Sequence, residues 1–95
     1  MNTQQGINEF TEAMNNVLDK HQKEKGDSWV DCDIDFLLFK LDEEIKEFKE
    51  ANRPIAKAEE LVDVANVCMM LYNRYIDEWS KKFINYDWRS YRNKI

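Results

Sequence analysis

The apolar positions of this chain fall into three stripes of helical spacing. Ile7, Phe10, Met14 and Val17 follow an i, i+3/i+4 rhythm with Leu18 beside them, which predicts a first helix running to about Lys23. Gly26 is a natural C-terminal breaker, and the polar stretch from Met1 to Gly6 is expected to fray. Residues 27–32 read as a connection. Asp33, or alternatively Asp31, supplies the N-cap of a second helix with Ile34, Leu37, Leu38, Leu41, Ile45 and Phe48 on its apolar face. Lys40, Glu44 and Glu47 lie on an adjoining face. The third stripe opens after Asn52-Arg53-Pro54. Proline suits the first turn of a helix and biases the preceding residue away from helical geometry. The second helix should therefore stop near Ala51 and the third begin near Ile55.

Between Leu61 and Leu71 only Asp63 and Asn66 interrupt the apolar run. A helix of that kind is buried on several sides, more than two other helices can cover, and this predicts a partner subunit. Tyr72, Tyr75, Trp79, Phe83 and Tyr86 continue the rhythm, so the first use of this stripe should be packing. With no Gly or Pro to end it, the third helix either runs on or breaks near Ser80 ahead of a short fourth; the break is preferred. Two glycines and one proline in 95 residues favour long helices over a sheet. The expected fold is all-α. It is a single domain spanning residues 1–95, an antiparallel bundle of three main helices with a further C-terminal helix if the break holds, completed by dimerisation or tetramerisation.

Two acidic pairs flank the proline turn. Glu47 and Glu60 are equidistant from it, and so are Glu44 and Asp63, so in an antiparallel pair of helices they sit at matching heights. Each pair is spaced i, i+3, which sets its side chains on one face about 4.5 Å apart along the axis. The plain alternative is solvated surface charge, since 35% of the chain is charged. Against it, the i+4 neighbours of the four acids are Phe48, Ala51, Val64 and Val67, none of them basic. Asp42, by contrast, has Lys46 at i+4 and reads as an ordinary surface acid. Asp63 also falls in line with Val67 and Met70. Converging carboxylates repel unless a cation joins them, and ligands that are all oxygen suit Mg²⁺ or Mn²⁺.

The net charge of −5 argues against wrapping duplex nucleic acid. It is unevenly placed: from Trp79 onward, Lys81, Lys82, Arg89, Arg92 and Lys94 against Asp87 give +4, leaving −9 elsewhere. Cys32 and Cys68 form neither a zinc pattern nor a disulfide framework and read as free, small core residues, consistent with a reducing cytoplasm. No signal peptide or membrane-spanning run is evident, so a cytoplasmic location is expected.

The acids stand as Glu43-Glu44-Ile45-Lys46-Glu47, a short gap, then Glu60-Leu61-Val62-Asp63. This EExxE…ExxD arrangement resembles the MazG-like branch of the all-α nucleoside triphosphate pyrophosphohydrolases. The likeness extends to the lead-in KHQKEKGDSWVDC and to the continuation EELVDVANVCMMLY, covering roughly Lys20 to Tyr72 and leaving residues 73–95 as an extension outside it. The paired acids alone are a weak signal; with Trp29 and Asp63-Val64-Ala65-Asn66 they are fairly specific.

The resemblance implies Mg²⁺-dependent hydrolysis of a (deoxy)nucleoside triphosphate to monophosphate and pyrophosphate, in nucleotide pool clean-up or balance, with Mn²⁺ as a substitute. In-line attack by water needs charge neutralisation on the phosphates and an activated nucleophile, both within reach of carboxylate-held Mg²⁺. Glu44, Glu47, Glu60 and Asp63 are the expected ligands. Glu43 points about 100° from Glu44 and is left to orient water or ligands. Lys40, one turn before Glu44, is either a phosphate contact or an ion-pair partner of Glu44. Asn66 could orient substrate or a ligand, and as a buried amide needs some partner in any case. Trp29 either stacks on a base or covers the core. Lys20, His21 and Lys23 either meet phosphates or stabilise the C-terminal end of the first helix. Related proteins assemble as homodimers or dimers of dimers. The rival from another class is a non-catalytic helical dimeric interaction module with an aromatic, basic tail. Nucleic-acid binding through Lys81 to Lys94 with Trp88 and Tyr91 is opposed by the −9 on the rest of the chain.

Overall fold

The computed structural model describes residues 1–81. Three helices account for most of them: α1 (Thr3–Lys25), α2 (Ile34–Glu50) and α3 (Pro54–Ser80), with a short 3-10 turn at Ser28–Val30 between the first two. The all-α expectation holds, and the three helices pack together. No described helix is long and apolar enough to cross a membrane.

The first turn of α1 corrects the sequence-based expectation of a frayed N-terminus. Asn2 and Gln5 form a reciprocal capping box: the Gln5 N–H donates to Asn2 Oδ1 at 2.9 Å and the Asn2 N–H donates to Gln5 Oε1 at 2.8 Å. Two otherwise orphaned backbone donors are thereby satisfied, and the helix begins at Thr3. At the other end Gly26 adopts φ 58°, strained for any residue with a Cβ, while its N–H still donates to Gln22 O at 3.0 Å. Asp33 is the N-cap of α2, accepting from the Asp35 N–H at 2.9 Å. Ala51 turns extended ahead of Asn52, and Pro54 occupies the first turn of α3. Lys57 locks this hairpin: its Nζ donates to Phe48 O at 3.1 Å and lies 4.9 Å from the centre of the Phe48 ring.

Most of the packing is between α2 and α3, with α1 laid on α3. The core is thin. Leu37, Val67 and Leu71 form its centre, and Trp29, Cys32, Ile34, Leu41 and Met70 pack around them. Leu38 turns outward, as do Ile7 and Phe10, because a helix gripped along one narrow seam cannot bury its whole apolar arc. Within one chain α3 is buried only along Val62, Asn66, Val67 and Leu71. Leu61, Cys68, Tyr72 and Tyr75 face outward, and so do Phe36 and Phe39 of α2. Ser80 ends α3, where the preferred break was placed; the proposed fourth helix, with Phe83, Tyr86 and the remaining basic residues, lies outside the described residues. Lys81 sits 3.3 Å from Asp77 and 3.7 Å from Glu78, an exposed arrangement in which the first basic residue of the tail answers local acids.

Candidate metal centre

The proline turn brings α2 and α3 together antiparallel, and three of the mirrored acids meet. Glu44 and Glu47 of α2 and Glu60 of α3 each offer a carboxylate oxygen, and these oxygens all lie within 4.8 Å of one another. An octahedral Mg²⁺ holds its ligands at about 2.0–2.1 Å, so opposite oxygens stand roughly 4.2 Å apart. At most one pair of the three can be opposite and the others stand roughly 2.9 Å apart, so side-chain rotations would have to draw the oxygens inward to close on an ion. Asp63 is not one of the three. It is half-buried beside them and lines, with Glu44, Asn66 and His21, a cavity of about 90 Å³.

The environments of these acids differ in a useful way. Glu44 is buried: one oxygen pairs with Lys40 Nζ at 3.3 Å, while Oε2 is buried with no hydrogen-bond partner. Glu60 Oε2 is likewise buried and unpartnered. Buried acceptors are nearly always satisfied, so two orphaned carboxylate oxygens in one cluster leave room for a cation. Burial pushes the Glu44 carboxyl above its ordinary value, a rise opposed by Lys40 and reinforced by Glu47 and Asp63. Glu60 is raised by desolvation and then by the charges of Glu47, Asp63 and Glu44. Asp63 is raised by burial; His21 opposes the rise and Glu47 adds to it. These are hard oxygen donors with no sulfur among them, a set that fits Mg²⁺ or Mn²⁺.

The remaining candidates separate clearly. Asn66 is 4% exposed and reaches across to α1, its Nδ2 donating to Met14 O over a long 3.4 Å, while its Oδ1 stays buried without a partner. Lys40 bridges two features: it pairs with Glu44 and also lines a recess of about 160 Å³. Trp29 packs on the core cluster, and part of its surface lines the same recess. His21 borders both the recess and the acidic cavity, so the two spaces adjoin. Lys20 and Lys23 are exposed and line neither, and Glu43 is exposed outside the three-carboxylate group.

No family model, curated protein or solved structure matches this chain. The site rests on its own geometry: a three-helix fold carrying a Glu cluster able to hold a metal ion.

One residue with a defined role escaped the sequence. Arg74 lies past the stretch that resembles the hydrolases, yet its side chain reaches back to the connection after α1, donating to Trp29 O at 2.9 Å and Cys32 O at 2.6 Å. The signal was its spacing. Asp63, Val67, Met70 and Arg74 follow an i+4, i+3, i+4 rhythm, so Arg74 continues the inward face of α3.

Proposed function

We propose that this chain is a Mg²⁺-dependent hydrolase that cleaves (deoxy)nucleoside triphosphates to monophosphate and pyrophosphate. The observation that carries the proposal is the meeting of Glu44, Glu47 and Glu60 with two buried carboxylate oxygens left unpaired. The likeness of the EExxE and ExxD motifs to the MazG-like pyrophosphohydrolases supplies the reaction. Glu44, Glu47 and Glu60, with Asp63 beside them, would hold the ion. Held there, Mg²⁺ would supply neutralisation of phosphate oxygens and a lowered pKa for a coordinated water. Lys40 stands between the acids and the recess, in reach of a phosphate that takes the place of Glu44 as its partner. The recess beside Trp29 receives the planar part of the substrate, and Asn66 Oδ1 is an acceptor waiting at the inner end of the acidic cavity. Glu43, exposed beside Glu44 in sequence, would orient water or a ligand only from outside the three-carboxylate group, and His21 borders both spaces.

Pyrophosphate release from a panel of ribo- and deoxyribonucleoside triphosphates, with and without Mg²⁺, tests this. At least one nucleotide should be turned over, and EDTA should abolish the activity. Failure across the panel with folded, Mg²⁺-supplied protein would instead favour the helical interaction module.

The same proposal includes self-association as a dimer or dimer of dimers. Leu61, Tyr72 and Tyr75 of α3 and Phe36 and Phe39 of α2 are each 44–60% exposed, a large apolar load for a monomer of this size. Light scattering at micromolar concentration should give at least twice the chain mass. A stable monomer would sink this part.

A further inference from the structure

The connection after α1 packs Trp29 and Cys32 on the core but makes few backbone hydrogen bonds of its own. Its own backbone bonds are those of the 3-10 turn: the Val30 N–H donates to Asp27 O, and the Asp31 and Cys32 N–H groups donate to Ser28 O. None of these involves the carbonyls of Trp29 and Cys32. Trp29 O accepts weakly from the Cys32 thiol at 3.5 Å, and both oxygens accept from a single nitrogen, Nη1 of Arg74, at 2.9 and 2.6 Å, with Cys32 Sγ 3.9 Å from the same nitrogen. The two N–H groups of one amino end are thereby spent on one short segment. Among the described residues Arg74 has no carboxylate partner, so these dipoles are what its charge is anchored to. The bonds span more than forty residues of sequence and clasp the connection to the C-terminal part of α3.

What the clasp fixes is the wall of the recess. Trp29 and Cys32 both line that space, and Arg74 does not. Arg74 is likewise outside the acidic cavity. An arginine that touches neither space but grips the segment forming one side of the recess acts on its shape. We propose that Arg74 is a positioning residue for the substrate, holding residues 28–32 so that Trp29 stays in place as the wall against which the planar part of the nucleotide docks. The identity of the occupant rests on the hydrolase proposal; the clasp itself does not. Arg74 lies on α3 fourteen residues beyond Glu60, about 21 Å along the axis, so its contribution falls on substrate affinity and leaves the chemical step and metal binding alone.

The test uses the full-length chain and two variants. Arg74→Met keeps the apolar stem and loses every donor. Arg74→Lys keeps a charge with three donors on a shorter reach. Hydrogen exchange is followed at the amides of residues 28–33 and at those of the α2–α3 hairpin. In parallel, kcat, KM and the Mg²⁺ dependence are measured on whichever nucleotide the wild-type chain hydrolyses. In Arg74→Met, exchange at 28–33 should accelerate about tenfold or more while the hairpin keeps wild-type protection, the scale expected from losing hydrogen bonds to a charged donor. KM should rise by a similar factor, with kcat and the Mg²⁺ midpoint held to within about twofold. Arg74→Lys should recover part of both effects. Unchanged exchange at 28–33 overturns the clasp. Equal acceleration everywhere, or a fall in kcat at constant KM, overturns the positioning role. If the wild-type chain hydrolyses no nucleotide, the hydrolase proposal fails and takes the affinity role with it, whereas the exchange data still decide whether Arg74 holds the segment.

Discussion

Replacing Glu47 by Gln should abolish Mg²⁺-dependent turnover and, in the same protein, raise the melting temperature measured without metal. Glu47 is the exposed member of the cluster, so the swap leaves packing undisturbed. Its charge nevertheless contributes to the raised carboxyls of Glu44, Glu60 and Asp63, making it the shared source of repulsion in the site. The amide keeps the shape and removes both the anionic ligand and that repulsion. Loss of residues that merely support metal ligands already costs about 10–100-fold in affinity or activity, so loss of a ligand should exceed a hundredfold. The gain in metal-free melting temperature should be a few degrees, since about 1 kcal/mol moves the midpoint by roughly 4–8 °C in a domain of this size. Asp63→Asn should follow the same pattern. Asp42→Asn, an exposed acid away from the cluster, should change neither quantity. Near-native turnover in both Glu47→Gln and Asp63→Asn at saturating Mg²⁺ would refute the assignment.

The helices were legible because periodicity and chain-breaking residues report on local geometry. Pro54, Gly26 and Asp33 marked boundaries that the structure keeps to within a residue or two. The mirrored spacing about Pro54 also located the acids that meet, since a tight antiparallel turn converts equal separation along the chain into equal height. Spacing fixes height but neither rotation about each helix axis nor side-chain reach, and Asp63, one carbon shorter than the glutamates, lies beside the three-carboxylate group and not within it. The capping box at Asn2 went unread because it lies in a polar run with no apolar period to mark a helix start, although Asn and Gln three apart are ordinary capping partners. Leu38 was misjudged for the opposite reason: it has the right period, but α2 is gripped along a seam too narrow to include it. Long-range polar contacts were the least visible. Asn66 reaching Met14 and Arg74 reaching Trp29 and Cys32 join residues far apart in sequence, and no local pattern encodes which carbonyl a side chain will find. For Lys40 and Trp29 the structural half of each alternative is met, Lys40 pairing with Glu44 and Trp29 packing on the core, and spacing alone could not show that both also border a recess.

Metal-free protein should lose stability as pH rises through the range in which the clustered acids ionise, and Mg²⁺ should reverse that trend. Glu44, Glu60 and Asp63 all have carboxyls raised above their ordinary values of 4.5, 4.5 and 3.8. Across that window the folded chain therefore binds more protons than the unfolded one, and the slope of unfolding free energy with pH is negative. The stabilisation from holding these protons is complete below the unfolded values and is lost as pH climbs past the raised ones. Coordination requires the deprotonated carboxylates, so Mg²⁺ affinity increases over the same window. Where Mg²⁺ reaches a hundred times its dissociation constant it should add about 2.7 kcal/mol of stability. In a chain of this length that corresponds to upwards of about 10 °C in melting temperature. Melting curves from about pH 4 to pH 8, in EDTA and in Mg²⁺, should therefore diverge as pH rises, with the EDTA series falling. Ionic strength has to be matched with NaCl, because screening alone relieves repulsion between carboxylates. Melting curves at matched ionic strength that coincide at every pH would mean that no cation enters the cluster.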